Sequence, residues 1–181
     1  ANAGKIEING TVNGDLAMFT SEAEVNGLVT GNLFFGGRTL ELNGAVEGSV
    51  FAGGSSFTLG PSAVVERNLL FGGFGLQALA GSAVGRDVRV GGYQAILSGQ
   101  VEQDVVASLA ALEITGNIGG DVTAMVDPPD EDASLVFEFM RWPGMPDETV
   151  DPGLRVAEGA EVAGTLTYKS PVEQAEGIQS S

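Results

Sequence analysis

The chain has no cysteine and no histidine, and it is poor in basic residues: 8 Lys and Arg stand against 24 Asp and Glu among 181 residues, a formal net charge of −16. Without cysteine there is no disulfide, thiolate metal site or cysteine nucleophile. Without histidine there is no Ser-His-Asp triad, no imidazole general base and none of the usual zinc ligand sets. The acyltransferases and carbonic anhydrases built on left-handed hexapeptide repeats are excluded on the same ground, since the first need a catalytic His and the second bind zinc through His. The excess negative charge repels phosphate backbones and anionic headgroups, which argues against a nucleic-acid partner. No run approaches the roughly 20 apolar residues that span a bilayer. The chain begins at Ala1, which fits a mature end left by signal cleavage at a small-residue site and fits a trimmed chain equally well.

What is abundant is glycine. Its 28 residues are about twice the usual share of roughly 7%, yet 43% of the chain is hydrophobic, too much for a disordered segment. A repeat reconciles the two. Apolar residues open a pattern at Val12, Val29, Val46, Val65, Val84, Val101, Ile118 and, after a gap, Val162, with spacings of 17, 17, 19, 19, 17, 17 and 44. A second apolar position follows four residues later in every copy, from Leu16 and Leu33 to Val122 and Leu166, and a third lies nine residues beyond it at Val25, Leu42, Leu59, Ala78, Leu97 and Ile114. The two 19-residue copies place their extra residues in Gly60-Pro61-Ser62-Ala63-Val64 and Leu79-Ala80-Gly81-Ser82-Ala83, so one loop takes the insertion while the strands keep register. Period-two alternation, as in Leu40-Glu41-Leu42, and turn residues at fixed places, such as Gly36-Gly37, Asn43-Gly44 and Gly48-Ser49, predict three short strands and three turns per copy. That is one triangular coil of an all-β solenoid. Collagen requires glycine at every third residue, and a calcium-binding nonapeptide roll requires Asp where Gln77 stands, so neither fits.

The 44-residue gap equals one coil plus about 27 residues, which predicts an excursion before the last coil. Its centre, from Ser134 to Trp142, contains Phe137, Phe139 and the single Trp142, between acidic, proline-containing flanks. It reads either as a cap over the apolar end of the stack or as a docking arm. The organisation is a solenoid over 1–126, an aromatic and acidic insertion over 127–153, a last coil over 154–168 and a tail or linker over 169–181.

Stacking turns each sequence position into a column. Three residues after each opener stand Asp15, Asn32, Ser49, Asn68, Asp87, Asp104, Asp121 and Thr165, a polar ladder suited to hydrogen-bonding the corner backbone. A ladder repeated in every coil is corner support rather than an acid–base pair, and the acids elsewhere are dispersed without a basic cluster, so no catalytic, cofactor or metal site is assigned. Scattered Thr11, Thr20, Thr30, Thr39 and Thr58 do not form the flat array of an ice-binding solenoid. Five residues after each opener, Phe34, Phe51 and Leu70 are expected to form an exposed stripe, a lateral docking surface or one for the insertion to cover.

Units such as Ile8-Asn9-Gly10-Thr11-Val12-Asn13-Gly14-Asp15-Leu16 and Leu42-Asn43-Gly44-Ala45-Val46-Glu47-Gly48-Ser49-Val50 resemble those of the bactofilins, a polymer-forming bacterial cytoskeletal family. The resemblance covers about residues 5 to 126 and a last coil at 154 to 168. It implies a right-handed triangular β-solenoid (β-helix), here of seven to eight coils with 17 to 19 residues each. It also implies end-to-end polymerisation without nucleotide, often near membranes. The insertion departs from the compact family core. The chain is thus expected to be a structural homopolymer and no enzyme, without cofactor. Its end contacts are expected at Ile6, Ile8 and Val12 on one side and at Leu154, Val156, Val162, Leu166 and Tyr168 on the other. Its expected place is extracellular or at the cell surface, with a cytoplasmic, membrane-associated site as the alternative and membrane proximity supplied by flanking segments. The competing expectation is a capped monomeric solenoid, anchored through such segments, that binds protein or glycan.

Overall fold

The structure, a computed structural model, describes residues 4–127 and 150–170. The described residues contain only strands, and every strand pairing is parallel. The first coil begins with β1 (Lys5–Ile8), β2 (Thr11–Val12) and β3 (Leu16–Val25), and the pattern of a two-residue strand followed by a ten-residue strand then recurs. The long strands that follow are β5 (Leu33–Leu42), β7 (Val50–Leu59), β9 (Leu69–Ala78) and β11 (Val88–Leu97). The short ones between and after them are β4 (Leu28–Val29), β6 (Ala45–Val46), β8 (Val64–Val65), β10 (Ala83–Val84) and β12 (Gln100–Val101). The chain is a β-solenoid of about seven turns with roughly 17 residues per turn. At about 4.8 Å between neighbouring strands, the eight levels of the short-strand sheet span about 34 Å.

The three short strands expected per coil appear instead as one long strand and one very short one. In β5 the inward residues Leu33 and Phe35 are followed by inward Leu40 and Leu42, so the alternation shifts phase between Gly36 and Thr39. The ladder likewise omits Ser55 and Phe74 between Gly54↔Gly73 and Ser56↔Gly75. The backbone stays extended on both sides of a glycine corner, and one strand therefore supplies two faces of the coil. Corner glycines are required by closeness: a Cβ on Gly37 would fall on the Thr20 carbonyl oxygen, and one on Gly73 on that of Gly54. One turn after Gly92, the corner of β11, the corner is Leu109-Ala110, and the strand splits into β13 (Val105–Leu109) and β14 (Ala111–Ile114).

All three predicted apolar columns point inward. Val29, Val46 and Val65 are fully buried, as are Leu33, Val50, Val25, Leu42 and Leu59. Two further inward columns, one through Phe35 and Phe71 and the other through Leu40, Phe57 and Leu112, complete the core. Each such side chain contributes about 1.5–3 kcal/mol by burial. The 19-residue copies bulge where expected, with Ser82 N–H donating to the Leu79 carbonyl at 3.0 Å and Gly81 at φ 97°.

After β15 (Asn117–Ile118), β16 (Val122–Val126) runs beside β13, and its ladder continues as far as Asp127 N–H donating to the Leu109 carbonyl. The coil resumes at β17 (Gly153–Val156), where Gly153 pairs with Ala111. The excursion thus interrupts a corner between two faces of one coil. β18 (Glu161–Val162) and β19 (Leu166–Lys169) finish the stack. Gly153 and Lys169, assigned from sequence to the insertion and the tail, are strand residues. The insertion residues Phe137, Phe139 and Trp142 lie outside the described residues.

Candidate functional site

Three features stand out on this frame: a polar corner ladder, two terminal coils, and a face with an apolar ridge beside a trough. The corner ladder works as its spacing predicts. Asp15 Oδ1 accepts from Asn32 N–H at 2.7 Å, Asn32 Oδ1 from Ser49 N–H at 2.9 Å, and Asp121 Oδ1 from Thr165 N–H at 2.7 Å. Across the two 19-residue steps, Ser49 to Asn68 and Asn68 to Asp87, the bonds lengthen to 3.4 Å. Asp15, Asn32, Ser49, Asn68, Asp104 and Asp121 thus each accept from a backbone N–H of the next coil, the corner support that their spacing predicts. A second ladder went unread in the sequence, although Asn9, Asn26 and Asn43 repeat at 17 residues: Asn26 Nδ2 donates to Asn9 Oδ1 at 2.9 Å, and Asn43 Nδ2 to Asn26 Oδ1 at 3.0 Å.

Among the described residues, β1, β2 and the first half of β3 have a strand neighbour on one side alone, as do β18 and β19 at the other end. At the first end Ile6 is 38% exposed, while Ile8, Val12 and Leu16 are half-buried against the core. At the other end Val162, Leu166 and Tyr168 are half-buried in the same way, but Leu154 and Val156 are buried at 0% and 7%. The two ends of the expected assembly surface thus differ on one side of the coil. Lys5 sits at the first end between Glu24 at 2.6 Å and Glu7 at 2.8 Å. Hydrogen bonds to Glu24 and then Glu7 hold its amine well above the usual lysine range, and Lys5 in turn holds the Glu24 carboxyl below the usual carboxylate range.

The face made by the first half of each long strand carries two outward columns. One runs Ala17, Phe34, Phe51, Leu70, Arg89, Val106, Thr123 and Thr167, and the other runs Phe19, Gly36, Gly53, Gly72, Gly91, Ser108, Met125 and Lys169. Phe34 and Phe51 stack with ring centroids 5.1 Å apart. They form a ridge whose neighbouring trough, about 590 Å³ in volume, is floored by Gly53, Gly72 and Gly91. Phe19, 83% exposed, lies over Gly36 and closes one end of the trough, and exposed Met125 stands at the other. The Phe34, Phe51 and Leu70 stripe was legible from the alternation. The trough beside it was not singled out, because its glycines were read together with the corner glycines next to them.

On the adjoining face the structure departs from alternation. Gln94 and Ile96 occupy outward positions, in line with Thr39 and Glu41, yet both are buried, and Val150 N–H donates to Gln94 Oε1 at 3.2 Å. Burial first, and then the Asp151 charge, push the Tyr93 phenol above its usual value. The return of the excursion therefore docks on this face, a contact 56 residues distant that no local pattern encodes.

No protein-family model, no curated protein and no solved structure matches the chain.

Proposed function

We propose that this β-solenoid is a non-enzymatic structural protein that stacks end to end with other copies into filaments, as the bactofilins it resembles do. The observation that carries the reading is the match between its two terminal coils. Both present a short-strand edge and the edge of the adjoining face around the apolar cross-section, at β2 and β3 in one and at β18 and β19 in the other, and the inward residues share columns: Ile6 and Ile8 with Leu154 and Val156, Val12 with Val162, Leu16 with Leu166, and Met18 with Tyr168. An edge of this kind is a template for another strand. Continuing the register from one copy to the next sets Arg155 against Glu7, whose column it shares, and Lys169 against the Phe19 ring. Opposite charge and cation–π contact both favour that junction. Charge of −16 opposes crowding of copies elsewhere, so salt promotes assembly.

Burial of Leu154 and Val156 favours a second reading, a solenoid closed at that end and acting as a monomeric binding module. Sedimentation velocity across protein concentration separates the two. End stacking predicts a sedimentation coefficient that climbs with concentration, and a loss of that climb in Ile8→Asp, which places a carboxylate on the open cross-section. A single species of 18.5 kDa at every concentration contradicts stacking and leaves the capped module.

A further inference from the structure

We propose that the ridge-and-trough face pairs side by side with the same face of a second copy, the two stacks parallel and related by a twofold along the stack axis. The pairing is lateral and independent of the end contacts.

The first ground is charge. None of the sixteen outward positions on this face is Asp or Glu, in a chain with 24 of them. The other faces carry Glu22, Glu24, Glu41, Glu47, Glu66 and Glu102 among their outward residues. Two copies bearing −16 each meet least repulsion here. Arg89, the charge in the ridge, already has the Asp87 carboxylate at 3.5 Å, so its aliphatic stem is free to lie against apolar surface.

The second ground is glycine that the fold does not need. A Cβ on Gly72 or Gly91 would meet nothing within 4 Å, and one on Gly53 would meet only the Gly72 carbonyl oxygen at 3.7 Å. None of the three has a left-handed φ. Glycine weakens a strand interior, and its use there marks close approach of something from outside.

The third ground is volume. In each coil one outward position is large and its neighbour small: Phe34 with Gly36, Phe51 with Gly53, Leu70 with Gly72, and Arg89 with Gly91. The order reverses at both ends, with Ala17 beside Phe19 and Thr123 beside Met125. A twofold along the stack axis exchanges the two columns while keeping every coil level. It sets Leu70 over the partner's Gly72 and Phe19 over the partner's Ala17. Antiparallel stacks would instead lay ridge on ridge and leave glycine facing glycine, a void that close packing disfavours.

The test is the mass of the full chain by light scattering, with electron micrographs of any filaments. The expected result is a particle of twice 18.5 kDa, or filaments of double width. Gly72→Leu fills the trough and should weaken pairing at least tenfold with the circular dichroism and melting temperature retained, and Leu70→Asp should do the same. The exchange Leu70→Gly with Gly72→Leu moves the ridge into the trough column and, under this twofold, should restore pairing. Unmodified chains of single mass and single width overturn the proposal, as does a face covered by residues 128–149 or by an unrelated protein, which also leaves copies unpaired. Pairing that survives Gly72→Leu, or a folded exchange variant that stays single, overturns it too. Failure of end stacking shortens filaments and leaves their width, so the two ideas fail separately.

Discussion

Two columns of glycine run side by side up the solenoid, and the fold requires only one of them. Gly37, Gly54, Gly73 and Gly92 turn the corner, where any side chain would collide with the carbonyl of the coil before. Gly53, Gly72 and Gly91 lie one residue earlier, on the open face, with room for a side chain above them. Composition counts the two alike. The difference teaches that in a repeat fold a residue explained by one column cannot be carried over to its neighbour, and that an unexplained column points outward to a partner.

The strongest way to break the comparison is to disturb what both columns rest on. Leu97→Asp buries an unpaired carboxylate at a position 1% exposed and should cost more than about 4 kcal/mol, seen as loss of the folded baseline in urea titration. A folded variant would refute the inward column itself. Next comes the contrast within one pair. Gly73→Val must displace the Gly54 carbonyl and should cost about 3 kcal/mol or more, whereas Gly72→Val should be neutral or stabilise single chains by about 0.5 kcal/mol. Equal effects in urea unfolding would erase the distinction.

A smaller effect is expected at the polar corner. Asp104 Oδ1 accepts from Asp121 N–H at 2.8 Å, so Asp104→Ala should cost about 1 kcal/mol. The weaker 3.4 Å step predicts a smaller loss for Asn68→Ala. The smallest effect concerns Tyr93. Its phenol is raised by burial and by Asp151, so the folded state resists its ionisation: stability from this source is intact below the ordinary value of about 10 and declines as pH rises through the raised one. Ultraviolet titration in a Tyr168→Phe background should place the midpoint above that ordinary value, and Asp151→Asn should bring it part of the way back.

Much of the fold was legible because a solenoid repeats its constraints. Val29, Val46 and Val65 face the same core from successive coils, so one pattern was tested many times within the chain, and the 17-residue step of Asp15, Asn32 and Ser49 announced a ladder. What stayed hidden depends on contacts that do not repeat. Ile96 stands at an outward position and reads as exposed, yet it is buried, on the face where Val150 N–H reaches the Gln94 side chain from 56 residues away. Continuous strands through Gly36-Gly37 were hidden for another reason, since glycine punctuates turns in most sequences and here it permits an extended backbone to bend. Among the expected end contacts, Ile6 is open and Leu154 is covered. A periodic pattern assigns both the same role, and only the tertiary surroundings of the last coil tell them apart.

The central claim is that matched terminal coils join copy to copy. Negative-stain electron microscopy of the unmodified chain across protein concentration and salt tests it most directly. Filaments that lengthen with concentration, carry an axial repeat set by one solenoid and vanish in Ile8→Asp are the predicted result. Discrete particles of unchanged length under every condition would contradict it.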